Sequence, residues 1–409
     1  MRTTAPPAVV LDISANSLSV IRNLRKHDID VISLGSSPLV SACFTRYTRC
    51  IRLSQDPTDA PDLWLDRLRD IARRYGARPV LFPTSDATVA FLAEHRDELS
   101  DICIYRGPKP CIAAKIIDKG ALHEAALRLG FLVPRTHIIR KYGDLDTIPC
   151  SFCFPCIIKP SQSHIWRKLN KPGKAIIVHD QADLRRQIIS LMDVLSRIPL
   201  LAQEIIPGPE SNLIYLVAYL TRQSQPLALF TARKLRQCPV DFGTGSLVIS
   251  EVHPRAMELG IKLLQGLRYE GLAGVEFKED QRDGELRLVE INPRASLLGE
   301  IAVGCGVEFP YIAYCDMVGL PVEHPLPYKT GVKWIGFAWD LFSFLEYRRR
   351  GEMTVWQWIR SLRGKKVHAY WKWSDPLPAA AEAIVLIFRI NRSLYRQLMS
   401  ACSGRDVQH

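Results

Sequence analysis

Residues 288–294 read Leu-Val-Glu-Ile-Asn-Pro-Arg, and the segment 275–277, Val-Glu-Phe, precedes them across an Asp-Gly dipeptide. Asp-Gly favours a hairpin turn, so we expect Glu276 and Glu290 side by side on paired strands. Asn292 shares the face of Glu290 because alternate side chains of a strand point the same way. Two carboxylates and an amide oxygen form the hard-oxygen site that Mg²⁺ prefers, completed by waters and phosphates.

An alternative is that both glutamates are simply exposed on a hairpin. Glu290, however, lies within the apolar run 288–291, where a carboxylate is costly unless it is paired or metal-bound. We therefore predict that Glu276, Glu290 and Asn292 hold one or two Mg²⁺, with Mn²⁺ as an alternative.

Two lysines precede this site in the chain. Lys119 falls inside a helix predicted over 111–129, and Lys159 ends an apolar strand over 154–159. A lysine at the exit of a buried strand is well placed to meet a phosphate as a point charge. Solvated surface is the alternative for both lysines, and the strand context makes Lys159 the stronger candidate. The segment 161–174 that follows is polar, and we expect it to form a mobile cover between two strands; it is called the cover below.

The segment 201–210, Leu-Ala-Gln-Glu-Ile-Ile-Pro-Gly-Pro-Glu, predicts an apolar strand that ends in a sharp turn. Exposed backbone at such a turn could bind an adenine edge, and Glu210 could hold a ribose hydroxyl. The Gly-rich loop 242–246 is either a cover over substrate or an ordinary connection between strands.

The first hundred residues alternate between strands and helices. Apolar runs at 8–11, 30–34, 79–82 and 102–105 are separated by segments with helical spacing. This alternation predicts a parallel sheet covered on both faces. No GxGxxG follows the first strand, so the dinucleotide fingerprint is missing.

Taken together, these motifs resemble the ATP-grasp superfamily over roughly residues 1–320. Segments 159–166 and 233–245 are similar to its carboxylate–amine ligase branch, which includes D-aspartate ligases. The resemblance implies an N-terminal α/β domain, then a nucleotide clamped between two α+β subdomains. It also implies the chemistry of that branch, in which ATP phosphorylates a carboxylate, an amine attacks the acyl phosphate, and ADP and phosphate leave.

The resemblance also implies roles for individual residues. Lys119 and Lys159 would hold the inner phosphates of ATP, and Arg294 would steady the transferring phosphoryl group. Arg233 would do the same or bind an acidic substrate. Within the segment 201–210, called the hinge below, the contacts to the nucleotide would come from Gln203, Glu204, Ile206 and Glu210.

The chain divides on this basis into an N-terminal domain, 1–107, an ATP-grasp domain, 108–320, and a C-terminal module, 321–409. A small lid subdomain is expected over about 135–205. The C-terminal module is rich in tryptophan and basic residues. We interpret it as a small capping domain whose tryptophans form its core. Two alternatives are that the tryptophans and basic residues bind nucleic acid or a membrane surface.

Composition is that of a globular protein. The 409 residues are 47% hydrophobic and 23% charged, which excludes a disordered, collagenous or coiled-coil chain. The net charge of +12 suits anionic partners such as nucleotides. The longest apolar run, near 378–390, is well short of the roughly 20 residues of a membrane span, so we expect a soluble protein.

The 11 cysteines do not form a disulfide pattern, and we expect a cytoplasmic protein, with peripheral membrane contact left open. Cys150, Cys153 and Cys156 are interpreted as buried thiols rather than metal ligands, because no fourth ligand stands at a familiar spacing.

We therefore predict an ATP-dependent ligase that joins a small-molecule carboxylate to an amine. One alternative is an ATP-grasp enzyme that transfers phosphate or a carbamoyl group without forming an amide. Another is a non-catalytic basic binding module on a relic nucleotide fold. We do not expect nucleic acid as a partner, and the oligomeric state stays open.

Overall fold

The structure is a computed structural model that describes residues 5–36, 41–148, 152–169, 173–322 and 327–385. Its strands form three sheets, of four, four and seven strands.

The N-terminal sheet is parallel, as predicted, with strand order β3-β2-β1-β4. Its strands are β1 (Ala8–Leu11), β2 (Val31–Gly35), β3 (Arg49–Arg52) and β4 (Val80–Pro83). Its helices are α1 (Ala15–Lys26), α2 (Pro61–Tyr75), α3 (Asp86–Glu94) and α4 (Arg96–Ser100). The strand expected at 102–105 makes a single bridge, between Ile104 and Val80.

The single helix predicted over 111–129 is two helices, α5 (Pro110–Ile117) and α6 (Lys119–Arg128). The break falls at Asp118, whose backbone is extended and whose side chain accepts a hydrogen bond from the Ala121 amide at 2.9 Å. Capping by an aspartate satisfies one of the free N–H groups of a helix start, and this explains the break. Lys119 therefore opens a helix instead of lying inside one.

The small sheet has strand order β5-β8-β6-β7, and its neighbouring strands are antiparallel. Its strands are β5 (Thr136–Ile139), β6 (Cys156–Pro160), β7 (Ile176–Val178) and β8 (Leu200–Glu204). The helices in this part are α7 (Ser163–Lys168), α8 (Gln181–Ser190) and α9 (Met192–Leu195). Trp166 on α7 is buried in the core of this sheet, so the predicted cover is anchored at its centre.

The large sheet has strand order β13-β12-β9-β10-β11-β14-β15. Its strands are β9 (Leu213–Leu220), β10 (Pro226–Cys238), β11 (Thr244–Glu251), β12 (Gly271–Glu279), β13 (Leu286–Asn292), β14 (Lys333–Ile335) and β15 (Lys366–His368). The helices are α10 (Pro254–Gly266), α11 (Gly299–Cys305), α12 (Phe309–Val318), α13 (Phe337–Arg349) and α14 (Val355–Ser361). The predicted hairpin is β12–β13, although its Asp-Gly dipeptide lies in a six-residue connection, 280–285, instead of a two-residue turn.

The described part of the C-terminal segment is built into the large sheet. β14 pairs with β11, and Trp334 on β14 is fully buried in the core shared with the N-terminal helices. The Arg236 guanidinium on β10 donates two hydrogen bonds of 2.8 Å to the Asp340 carboxylate on α13, and both side chains are buried. α13 is therefore held firmly against β10.

Within the described ranges, no single helix is long and apolar enough to cross a membrane; α11 and α12 reach that composition only as a pair bent by 92°.

Candidate active site

One cavity of about 320 Å³ lies where the three sheets meet. The N-terminal domain contributes Asn16 and Asp86 to its wall, and the small sheet with its cover contributes Pro160, Ser163, Trp166 and Lys174. The large sheet contributes Tyr215, Lys234, Glu276, Glu290 and Asn292, with Arg294 directly beyond. Lys119 at the start of α6 completes the set of charged side chains.

The two predicted metal-binding carboxylates are neighbours in the structure. Glu276 on β12 lies directly opposite Glu290 on β13, and Asn292 lies opposite Gly274 two residues further on. The Asn292 amide donates to Glu290 Oε1 at 3.0 Å, which leaves its own oxygen directed away from Glu290. That oxygen accepts a hydrogen bond from Arg294 Nη2 at 3.1 Å, so a cation would share it with Arg294. Two adjacent carboxylates with an amide oxygen beside them are the donor types that a hard divalent cation takes.

Electrostatics keeps the Glu290 carboxylate charged. Burial alone would raise the pKa of Glu290, but the positive charge of Lys119, with other nearby lysines and the Asn292 amide, lowers it to about 2. Lys234 Nζ lies 2.6 Å from Glu276 Oε2, and both of these side chains are buried. Ionised carboxylates facing a cavity are what a cation requires. Among the described residues, no cluster of three or more His, Cys, Asp or Glu side chains offers another metal site.

Both predicted phosphate lysines lie near the carboxylates, but Lys119 is part of the described lining of the cavity and Lys159 is not. Lys119 Nζ donates to Ser163 Oγ at 2.8 Å, and its backbone N–H donates to the Ser161 carbonyl at 3.0 Å. Lys159 is buried on β6, and burial together with the charge of Lys119 lowers its pKa to about 7. The carboxylates of Glu290 and Glu276 act in the opposite direction. A phosphate between the two lysines would relieve their mutual repulsion.

Arg294 reaches the cavity from beyond β13. Its Nε donates to Asp86 Oδ1 at 2.8 Å, and its Nη2 donates to Asn292 Oδ1 at 3.1 Å. Asp86 belongs to the first turn of α3, so a side chain of the N-terminal domain sets the direction of this guanidinium.

The hinge residues lie at the end of β8. Gln203 and Glu204 are buried, and Ile206 follows them in the turn. The Glu204 carboxylate accepts the Arg135 N–H at 2.9 Å and a bond from Arg282 at 3.2 Å. The side chain of Glu204 is thus used within the protein, and so is its backbone N–H, which donates to the Arg135 carbonyl at 2.9 Å.

Gln203 is fixed by a buried polar group behind the hinge. Its Nε2 donates to Thr136 Oγ1 at 2.8 Å and to His123 Nδ1 at 3.3 Å. His123 Nε2 lies 3.3 Å from the Val289 carbonyl on β13. His123 therefore connects the small sheet to the strand that carries Glu290.

His123 predicts a loss of stability at acid pH. Burial, followed by the charge of Lys159, lowers its pKa from 6.5 to about 3. Between these two pH values the His123 side chain binds a proton in the unfolded chain but not in the folded chain. The stability that this group contributes above pH 6.5 is therefore lost as the pH falls toward 3. Between pH 7 and pH 5 the free energy of unfolding should drop by about 2 kcal/mol from this group alone. Urea unfolding at both pH values measures the free energy of unfolding. In His123→Gln its fall between pH 7 and pH 5 should be smaller by about 2 kcal/mol. An equal fall in variant and parent would contradict the role of His123.

Glu210 lies on the far side of the hinge turn and is already surrounded by donors. The backbone N–H groups of Gln237 and Asp241 donate to its carboxylate at 2.9 and 2.7 Å, and the Tyr347 hydroxyl on α13 donates as well. These bonds tie the hinge to α13. A ribose hydroxyl would have to share this carboxylate with them.

Strand alternation separates Arg233 from Lys234. Ala232 on β10 pairs with Tyr215 on β9, and Tyr215 pairs with Glu276 on β12, so these three residues share the cavity face of the sheet. Lys234, two residues after Ala232, lies on the same face. Arg233 points to the opposite face, where its Nε donates to Glu251 at 2.9 Å. The structure thus brings Lys234 into the cavity and leaves Arg233 outside its described lining.

Several residues of the site were not singled out from the sequence. They are Asn16 and Asp86 from the N-terminal domain, Lys174 from the cover, and Tyr215 and Lys234 from the large sheet. Only Lys234 had a sequence signal, as the basic residue next to Arg233, but strand periodicity alone does not decide which of the two faces the cavity. Gly274 shows how tightly Tyr215 packs, because a Cβ at that position would lie 1.8 Å from the Tyr215 hydroxyl.

The described parts of the cover, residues 161–169 and 173–174, contact both the Gly-rich loop and the N-terminal domain. Lys174 Nζ donates to Thr244 Oγ1 at 3.0 Å, which joins the cover to the Gly-rich loop. Lys168 at the end of α7 donates to Asp59 of the N-terminal domain at 2.8 Å. Both contacts are made by exposed lysines, which can separate at small energetic cost.

Of the cysteines considered as metal ligands, Cys156 is buried in β6, and burial raises its pKa to about 12. Cys153 is exposed, so the interpretation as a buried thiol is wrong for this residue, and Cys150 lies outside the described residues.

No family model matches the chain. The chain is 24% identical over 326 residues to D-aspartate ligase of Enterococcus faecium (strain Aus0004). The aligned region covers 75% of this chain and 77% of that protein.

The fold is similar to that of L-amino acid ligase from Bacillus licheniformis, with a TM-score of 0.59, 13% identity and coverage of 78% of this chain and 76% of that one. It is also similar to the biotin carboxylase domain of 2-oxoglutarate carboxylase from Hydrogenobacter thermophilus, a structure in complex with MgADP. There the TM-score is 0.60 and the identity 17%, over 80% of this chain and 73% of that one.

Three sheets around one charged cavity, together with these structural neighbours, define an ATP-grasp fold, and the predicted fold class is confirmed. The more specific resemblance to carboxylate–amine ligases, D-aspartate ligase among them, is confirmed as well.

Proposed function

We propose that this chain is an ATP-dependent ligase that forms an amide bond between a carboxylate and an amine through an acyl phosphate. The observation that carries the proposal is the convergence of Lys119, Glu276, Glu290, Asn292 and Arg294 on one cavity. Positive groups and carboxylates lie next to each other in its wall, as in the contact of 2.6 Å between Lys234 and Glu276. This arrangement suits phosphoryl transfer, which needs positioning and charge stabilisation more than a protein nucleophile.

The candidate residues divide into two groups by the part of ATP that they would meet, and Lys159, Glu204 and Ile206 lie outside the described lining of the cavity. Lys119 and Lys159 would neutralise the inner phosphates of ATP, with the backbone of Glu204 and Ile206 at the adenine. Glu276, Glu290 and Asn292 would hold Mg²⁺, which when bound would neutralise charge on the outer phosphate oxygens. The MgADP complex of the carboxylase neighbour supports this choice of nucleotide and metal.

Arg294 lies at the end where the γ-phosphoryl group would leave. In the first step the substrate carboxylate oxygen bonds to the γ-phosphorus and the bond to the ADP oxygen breaks. In the second step the amine bonds to the acyl carbon, loses a proton, and phosphate departs. Arg294, aimed by Asp86, would bind the phosphoryl oxygens as negative charge shifts onto ADP.

The two substrates would enter on the side of the N-terminal domain, next to Asn16 and Asp86. We propose an amino acid as one of them, because the names of the two ligases similar to this chain each specify an amino acid. We propose the cytoplasm as its location, where ATP and amino acids are available. Arg233 stays a candidate for an indirect role, through its ion pair with Glu251 at 2.9 Å.

The products of ATP cleavage test the mechanism. Purified protein with ATP, Mg²⁺ and a panel of amino acids should release one ADP for each amide formed. Hydroxylamine in place of the amine should give a hydroxamate, because an acyl phosphate is electrophilic and a small nucleophile can reach it. Formation of AMP and pyrophosphate would show adenylation instead. Phosphate transfer without amide or hydroxamate would favour a phosphotransferase.

A further inference from the structure

An exposed surface on the C-terminal segment plays no part in the site described above. Residues 353–374 include four tryptophans and no acidic residue. They contain five lysines and arginines: Arg360, Arg363, Lys365, Lys366 and Lys372. Lys372 lies 3.9 Å from the Glu300 carboxylate, which is outside the segment. The positive charge of the other four, with no acidic residue in the segment, favours an anionic partner.

α14 divides its side chains between two faces. On the inner face Trp358 stacks on Phe344 of α13, with ring centroids 4.7 Å apart, and donates its Nε1–H to Asp340 at 2.8 Å. On the outer face Val355, Trp356 and Ile359 are exposed, and 63% of Trp356 is accessible. Helical spacing places Val355 and Ile359 next to each other. The helix is thus anchored by one aromatic face and presents a second apolar face to the outside.

Charge and apolar surface coincide at Trp356. The Arg363 guanidinium lies 5.6 Å from the centre of the Trp356 ring. A second exposed pair follows on the same segment, where Trp371 meets Trp373 edge to face at 5.1 Å and 87% of Trp373 is accessible. Tryptophan flanked by arginine and lysine suits the interface between lipid headgroups and acyl chains.

We propose that this surface, formed by the outer face of α14 and the basic residues that follow it, docks on an anionic lipid surface. The aliphatic side chains Val355 and Ile359 favour lipid over nucleic acid, because bases stack on rings and gain little from aliphatic contacts. Anionic headgroups attract each lysine or arginine near the surface. This proposal is independent of the ligase function, since none of its residues lines the cavity.

Co-sedimentation of the full chain with lipid vesicles tests the proposal. The protein should bind vesicles that contain phosphatidylglycerol and not vesicles of phosphatidylcholine alone, and the binding should weaken as salt is raised. Trp356→Ser should weaken binding roughly tenfold, and Arg363→Gln or Lys365→Gln about fivefold each. Ile189→Ser is the matched control, because Ile189 on α8 is an equally exposed apolar side chain, and that variant should bind as the parent does.

Other outcomes overturn the proposal. Absence of binding to anionic vesicles, or binding unaffected by Trp356→Ser, would remove the lipid assignment. Binding of single-stranded RNA without binding of vesicles would assign the surface to nucleic acid. Each variant should keep the ADP release of the parent, and this separates a failure of lipid docking from a failure of the ligase function.

Discussion

Replacement of Glu290 with glutamine is expected to lower ADP release by about 100-fold or more. The amide keeps the shape of the side chain and its contact with Asn292, but it loses the negative charge that a divalent cation requires. The measurement is ADP release in the presence of ATP, Mg²⁺ and the best amino-acid pair, with the fold checked by circular dichroism.

Glu285→Gln is the matched control for this variant. Glu285 precedes β13 on the same hairpin, but its carboxylate is exposed and pairs with Arg255 outside the cavity. Its substitution should leave ADP release unchanged. Parent-like turnover in Glu290→Gln would show that the paired carboxylates do not hold the metal.

Substitution of Lys159 with methionine should weaken ATP binding by 10- to 100-fold, because a charged donor to a phosphate contributes about 1.5–3 kcal/mol. Methionine has a similar length and packs well in the apolar surroundings of β6, so the fold should be retained. Isothermal calorimetry of ATP binding gives the affinity directly.

Lys168→Met provides the comparison. Lys168 belongs to the cover that follows β6, is exposed and pairs with Asp59, so its loss should leave ATP affinity nearly unchanged. If parent and Lys159→Met bind ATP with equal affinity, Lys159 does not contact the phosphates and has only a structural role.

Local sequence patterns predicted the fold and the centre of the site because they act over short distances. The alternation around Glu290 gave its strand, and the neighbouring strand with Glu276 is close in the chain. The broken helix at Asp118 was missed because the apolar spacing continues across the break, while the extended backbone of Asp118 and its bond to Ala121 become visible only in three dimensions.

The N-terminal part of the site could not be predicted in the same way. Asp86 is separated from Arg294 by 208 residues, and the sequence alone gives no reason for their contact. The choice between Arg233 and Lys234 depends on the register of β10 against β9, which no single strand specifies. Residues that meet across domains need the assembled structure.

The pairing of β14 with β11 limits where the chain can be shortened. A truncation after residue 320 would remove β14, and β11 would become an edge strand with unsatisfied N–H and C=O groups. Such edges recruit other chains, so the shortened protein would tend to aggregate. It would also leave Arg236 as a buried charge without Asp340, which strongly destabilises a fold. Although the motifs that resemble known ligases were expected within roughly residues 1–320, the large sheet continues into strands beyond them.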